Sequence, residues 1–150
     1  MPCPAPRRRR LLMLLALGPA LPACSATPPS PAPNMQTLTG TVTTRVRMAI
    51  PPDADVRVAL IEIAGGNAPA TVFAETRFTA GGRQVPIPFS LPYDAARVDA
   101  GRTYALTADI RVRDRIVFRT TGTRPALTRD APTTGIVLPL EPMLSTQPGG

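Results

Sequence analysis

Cys24 is the residue whose type and setting point to covalent chemistry. Leu21-Pro22-Ala23-Cys24 has the form of a lipobox, in which the chain is cut before the cysteine and its sulfur is joined to a lipid by a thioether. The preceding residues are those needed to deliver it. Arg7–Arg10 is an unbroken basic run, Leu11–Leu17 is apolar, and Gly18-Pro19 ends any helix. A charged start, a short apolar stretch and a small residue at the cut describe a secretory signal. The apolar stretch is far short of the roughly 20 residues that span a bilayer, and no later segment is longer. Cys3, the other cysteine, lies within the signal. Cys24 is then the sole thiol in an oxidising compartment, without an intramolecular disulfide partner, and acylation consumes it. Pro22 departs from the commonest lipobox, and ordinary signal-peptidase cleavage nearby is the alternative.

The rest of the inventory argues against catalysis. The sequence contains no His and no Lys, so imidazole acid–base work, imidazole metal ligation and amine nucleophiles are excluded. A Ser, Thr or carboxylate nucleophile would lack an ordinary base to activate it. Asp53 and Asp55 resemble the start of a calcium loop, but the glycine and distal glutamate of an EF-hand are absent, and a turn with polar tips explains them. Asp94 and Asp99 are read as turn caps rather than an acid–base pair. Gly65-Gly66 and Gly81-Gly82 lie between strands, not before a helix, so they do not cradle phosphate. No metal or cofactor is expected. The formal charge is +7, of which Arg7–Arg10 carry four, leaving +3 for the chain after the signal. That residue of charge bears on solubility and is no nucleic-acid footprint.

Four segments follow: a signal at 1–23, the lipidated cysteine and a Pro-rich tether at 24–36, a domain at 37–141, and a tail at 142–150. Ser25–Asn34 is Pro and small polar residues, and an extended chain from Cys24 to Thr37 reaches roughly 40 Å. The domain alternates apolar and polar residues with period two over Leu38–Met48, Val56–Ile63, Thr71–Phe78, Val85–Leu91, Tyr104–Val112, Ile116–Thr120 and Ile136–Leu140. Seven short strands separated by Gly, Pro, Asn and Asp turns predict an all-β fold, an antiparallel β-sandwich with a mainly aliphatic core. Arg113-Asp114-Arg115 predicts a tight hairpin.

Pro86, Pro88 and Pro92 share one parity, so each removes a backbone donor from the same side of its strand. Such a strand belongs at a sheet edge, and Val85–Leu91 is placed there. A donor-poor edge is a poor acceptor of an added strand, which directs any partner to another edge or to an apolar groove. Phe73, Phe78, Phe89 and Tyr93 are the candidate groove residues; the alternative is that they are core.

Residues 38–140 resemble the YbaY-like lipoproteins, grouped with the YscW-type lipoprotein chaperones, or pilotins, of type III secretion. The likeness rests on Gly40-Thr-Val42 leading to Arg45-Val-Arg-Met-Ala-Ile50-Pro51-Pro52-Asp53-Ala54, then Val56–Leu60, Val85–Phe89 with Tyr93-Asp94, and Tyr104–Ile110. The resemblance implies a non-enzymatic binding or assembly module that helps an outer-membrane secretin reach and assemble in its membrane; many relatives occur without such a system. The alternative is a structural or ligand-binding envelope lipoprotein with no secretion partner. The family's sorting logic uses Asp after the cysteine for inner-membrane retention. Ser25 in that place implies the outer membrane, facing the periplasm. Replacing Cys24 with Ala is expected to move the protein from the detergent phase to the aqueous phase on partitioning; unchanged membrane association would show that the lipid is not the anchor.

Overall fold

The computed structural model describes residues 32–65, 69–128 and 130–143; the signal and Cys24 lie outside the described residues. Eight strands form the domain: β1 Met35–Thr44, β2 Asp55–Ile63, β3 Thr71–Thr79, β4 Ile87–Asp94, β5 Thr103–Val112, β6 Arg115–Thr120, β7 Arg124–Ala126 and β8 Ile136–Pro142, with one 3-10 turn at Ala95–Arg97. They make a single sheet in the order β3-β2-β5-β6-β8-β1-β4, and β7 adds to β5. The sheet curls until β3 and β4, its two ends, come alongside one another without a ladder between them. The result is all-β and nearly a closed barrel. One mainly aliphatic core fills it, drawn chiefly from Leu38 and Val42, Val56, Val58 and Leu60, Ile87 and Leu91, Leu106 and Ile110, and Leu138 and Leu140, with Phe89, Tyr93, Tyr104 and Phe118 among them.

The alternation read from the sequence places these side chains. In β4, Ile87, Phe89, Leu91 and Tyr93 are buried while Pro88, Ser90 and Pro92 face out. β4 pairs with β1 alone, so the expected edge position holds. Prolines donate no hydrogen bond, so the ladder to β1 must draw its donors from the buried set. The Val85–Pro86 peptide just before β4 is cis. The hairpin between β5 and β6 is a two-residue turn in which Arg113 and Asp114 both have positive φ, 49° and 64°. That conformation matches the twist of the flanking strands.

Three details differ from the sequence expectation. β7 is an eighth strand, three residues long, too short for an alternation to show. The pairing of β1 with β8 is parallel, whereas every other ladder is antiparallel. These two strands lie far apart in sequence, so no hairpin dictates their direction. β1 also ends at Thr44, not Met48, although the period-two pattern continues: its ladders run out at Val42–Ile87 and Thr44–Leu140.

Two local devices hold the curl. β8 crosses β1 so closely at Gly40 that a Cβ there would lie 2.8 Å from the Ile136 carbonyl carbon and 2.9 Å from its Cβ. At the other joint, β6 pairs with β8 through Phe118–Thr120, while its ladder with β5 ends at Arg119. The hydroxyl of Thr120 fills the place of the lost ladder. It accepts from the Ala108 N–H at 2.7 Å and donates to the Ala108 carbonyl at 3.1 Å. β7 then pairs with β5 at Tyr104–Leu106.

Gly40→Ala is expected to destabilise the domain by about 3 kcal/mol, the upper range for overpacking, because backbone rather than a flexible side chain must yield. Thr120→Val keeps the shape but leaves both Ala108 backbone groups buried and unpaired, an expected loss of about 2–4 kcal/mol. Denaturant titration measures both; a change within about 0.5 kcal/mol, the scale of a surface substitution, would contradict the roles given to these residues.

Candidate functional site

Where β1 stops, the chain leaves the sheet and crosses the end of the core. Its first steps are local turns: the Val46 N–H donates to Thr44 Oγ1 at 3.2 Å, and the Met48 N–H to the Val46 carbonyl at 3.0 Å. Val46 and Met48 are thereby 40% and 52% exposed. Ile50 then re-enters the core. Gln84 holds it like a short strand, accepting from the Ile50 N–H at 2.9 Å and donating to its carbonyl at 3.0 Å. Three backbone bonds fix the following turn: Ala54 to Pro51, Ala80 to Ala54 and Gly81 to Pro52.

Between this crossing segment and the β5–β6 hairpin lies a groove of about 210 Å³. Met48, Ala49, Ile50 and Pro51 form one wall, and Ile110, Val112, Val117 and Phe118 the other. All eight are apolar. The second wall depends on a bulge. The β5–β6 register shifts between Ile110 and Arg111, so Val117 is an extra residue on β6. A bulge re-aims side chains, and here the consecutive Val117 and Phe118 both line the groove. The Val117 carbonyl accepts from the Met143 N–H at 2.9 Å, and Met143 is itself half exposed. An apolar groove with Met48 on its wall fits apolar side chains of varied shape, since the thioether chain adapts its conformation to what it meets.

The ionic groups lie elsewhere on the sheet. On the outer face, Arg57 reaches Glu75 at 2.8 Å and Asp109 at 3.4 Å, and Arg111 reaches Asp109 at 2.9 Å. The Arg57 hydrogen bond holds the Glu75 carboxyl below its ordinary pKa. Asp109 is buried beneath these guanidinium groups. Arg102 pairs with Glu62 at the far end of β2. Asp94 and Asp99 cap turns as expected: Asp94 Oδ1 accepts from Ala96 and from Asn34, and Asp99 Oδ1 from Gly101. Among the described residues no three His, Cys, Asp or Glu side chains gather into a metal site.

The four aromatic candidates are not brought together into an open groove. Phe89 and Tyr93 are only 4% and 5% exposed and belong to the core. The Tyr93 hydroxyl donates to Gln36 at 2.9 Å, and burial pushes its pKa up. Phe73 and Phe78 are half-buried against the core from β3. Phe73 meets Tyr104 edge-on at 5.1 Å and lies under Arg97. None of the four lines the apolar groove. The residues that do were missed in the sequence because two signals look like ordinary core there. One is the alternation running past the strand into Pro51-Pro52; the other is the break in alternation at Val117-Phe118.

The comparisons with known proteins span this whole region. The family model described as type III secretion system lipoprotein chaperone (YscW) matches residues 33–138. The uncharacterized lipoprotein YbaY of Escherichia coli (strain K12) is 34% identical over 97 residues, which are 65% of this chain and 51% of that protein. The chain thus spans about half the length of the curated relative it matches. The structure of an alternative pilotin from the type II secretion system of Vibrio cholerae superposes with a TM-score of 0.66 at 34% identity, over 72% of this chain and 98% of that one.

The burial pattern separates framework from site. Phe89→Ala is expected to cost about 3–5 kcal/mol of folding stability, whereas Met48→Ala changes it by less than about 0.5 kcal/mol. Equal losses in denaturant titrations would mean that the Met48 wall is core.

Proposed function

Because the chain belongs to the type III secretion system lipoprotein chaperone (YscW) family, we propose that it is a membrane-tethered binding module that holds an apolar segment of another envelope protein and performs no covalent chemistry. The observation that carries this reading is the groove itself: eight apolar residues line it, and one of them, Met48, is half exposed. A segment that inserts a few apolar side chains there gains the burial that Met48 lacks in the free protein. The absence of His and Lys from the sequence supports binding rather than catalysis.

The tether and its address belong to the same proposal. A lipid on Cys24, with Ser25 next to it, anchors the chain at the outer membrane on the periplasmic side. A Pro-rich tether of roughly 40 Å lets the domain search the space around its anchor. The client is an outer-membrane protein of the secretin kind, a choice supported by the likeness to an alternative pilotin. A second reading, an envelope lipoprotein with no secretion partner, is supported by the YbaY relative, whose name carries no secretion role.

Affinity capture from solubilised envelopes tests the proposal. The wild-type chain is expected to retain one outer-membrane protein, and Met48→Asp to lose it by about tenfold or more with an unchanged melting temperature, the scale of a central contact residue. Retention by both proteins would overturn the groove as the docking site. A retained protein unrelated to secretion would favour the second reading.

A further inference from the structure

The apolar groove has a charged neighbour. β1 ends at its pair Thr44–Leu140, while β8 runs on to Pro142. Arg45 is the first residue past that last pair. A hollow of about 420 Å³ opens there over the end of β8, with Arg45 and Val46 on one part of its wall and Thr121 and Arg124 on another. Arg124 stands opposite the buried Leu106 in the β5–β7 register. Opposed residues share a face, so its side chain starts from the core side of that short strand.

Hollow and groove adjoin at two places. The Met48 N–H donates to the Val46 carbonyl, so Val46 of the hollow and Met48 of the groove lie in one tight turn. Phe118 of the groove stands directly opposite Pro142 of the hollow in the β6–β8 register. Opposed residues are about 5 Å apart and an extended chain advances about 3.3 Å per residue, so a bound segment passes from one to the other within a few residues. The charges of the hollow are not matched within the domain. Arg45 and Arg124 are exposed, and among the described residues neither takes part in an ion pair. The carboxylates that form ion pairs, Glu62, Glu75, Asp99 and Asp109, serve Arg57, Arg77, Arg102 and Arg111. Glu141 also borders the hollow, but it stands opposite Arg119 in the β6 register, a cross-strand neighbour of opposite sign.

We infer that hollow and groove are two halves of one site, and that the segment it takes is an acidic, amphipathic stretch of polypeptide: apolar side chains against Met48 and Phe118, and an Asp or Glu carboxylate at Arg45 and Arg124. The guanidinium fork matches a carboxylate in geometry as well as in charge. Placed at the border of an apolar contact, the two arginines add selectivity and speed of encounter more than raw affinity. The inference rests on the reading of the groove as a docking site and adds the chemistry of what docks there. The shape favours a polypeptide over a bilayer. The apolar and basic parts are recessed and lie side by side, whereas a membrane presents its phosphates as a flat layer above its apolar interior.

Binding of the detergent-solubilised full chain to an array of short random peptides tests it. The wild-type chain is expected to select peptides with Leu, Ile, Met or Phe beside Asp or Glu, and to bind them less tightly as salt is raised. Arg45→Gln combined with Arg124→Gln is expected to weaken these acidic peptides about tenfold and to flatten their salt dependence. The same double variant should bind their Asn and Gln counterparts as the wild type does, with an unchanged melting temperature, because both arginines are exposed and unpaired. Met48→Asp is expected to weaken both classes of peptide. Selection of apolar peptides without an acidic preference, or an acidic preference indifferent to the two arginines, would overturn the inference and leave the groove reading standing. No peptide selected, or neutral peptides bound equally by Met48→Asp, would overturn the groove reading and the inference with it. Phosphatidylglycerol retained by the full chain in native mass spectra and lost in the double variant, with no acidic preference among the peptides, would assign the hollow to a lipid phosphate and overturn the inference.

Discussion

β1 and β8 can run parallel only over a glycine, because any side chain at position 40 would meet the Ile136 backbone. This close passage fixes where the sheet turns. β1 is held on both sides, by β4 on one and β8 on the other. β8 in turn receives β6, which connects to β5 and β2. Remove the register at Gly40 and the two halves lose their common edge. The same register decides where β1 ends, since its last pair with β8 is Thr44–Leu140. Beyond that pair the backbone has no ladder to continue, and the chain must turn across the core. The apolar groove is the consequence of that exit.

Much of this was legible in the residues. Period-two alternation located all the long strands, and in β4 it also contained the burial of Phe89 and Tyr93, since they share parity with Ile87 and Leu91. The three prolines of one parity gave the edge position through a simple count of donors. What alternation cannot show is where pairing stops. Val46 and Met48 have the spacing of core residues, yet they are exposed because their would-be neighbours have already ended. Nor can it show a bulge: the pair Val117-Phe118 breaks the period, and only the shifted register reveals that both serve one wall. β7 escaped for a different reason, since three residues with a proline carry no periodic signal, and its one buried side chain, Ala126, is small.

The two ends of the domain have different work. At one end Asp94 binds the Asn34 N–H at 2.9 Å and the Ala96 N–H at 3.0 Å. That end is where the chain enters β1. β1 then runs ten residues, about 33 Å, to the end where the groove opens. The start of the domain is thus pinned by a carboxylate, while Val46, Met48 and Met143 are exposed apolar residues that the fold itself does not bury. The close passage at Gly40 and the Thr120 hydroxyl hold the strands themselves.

The most direct measurement of the central claim is site-specific photo-cross-linking in living cells, with a photoreactive residue placed at position 48 or at position 137. Both sites are about half exposed and apolar in the native chain, but Val137 is on the outer face of β8 and does not line the groove. A groove that holds a client predicts one discrete envelope-protein adduct from position 48 and none from position 137. The same adducts from both positions, or none from position 48, would contradict it.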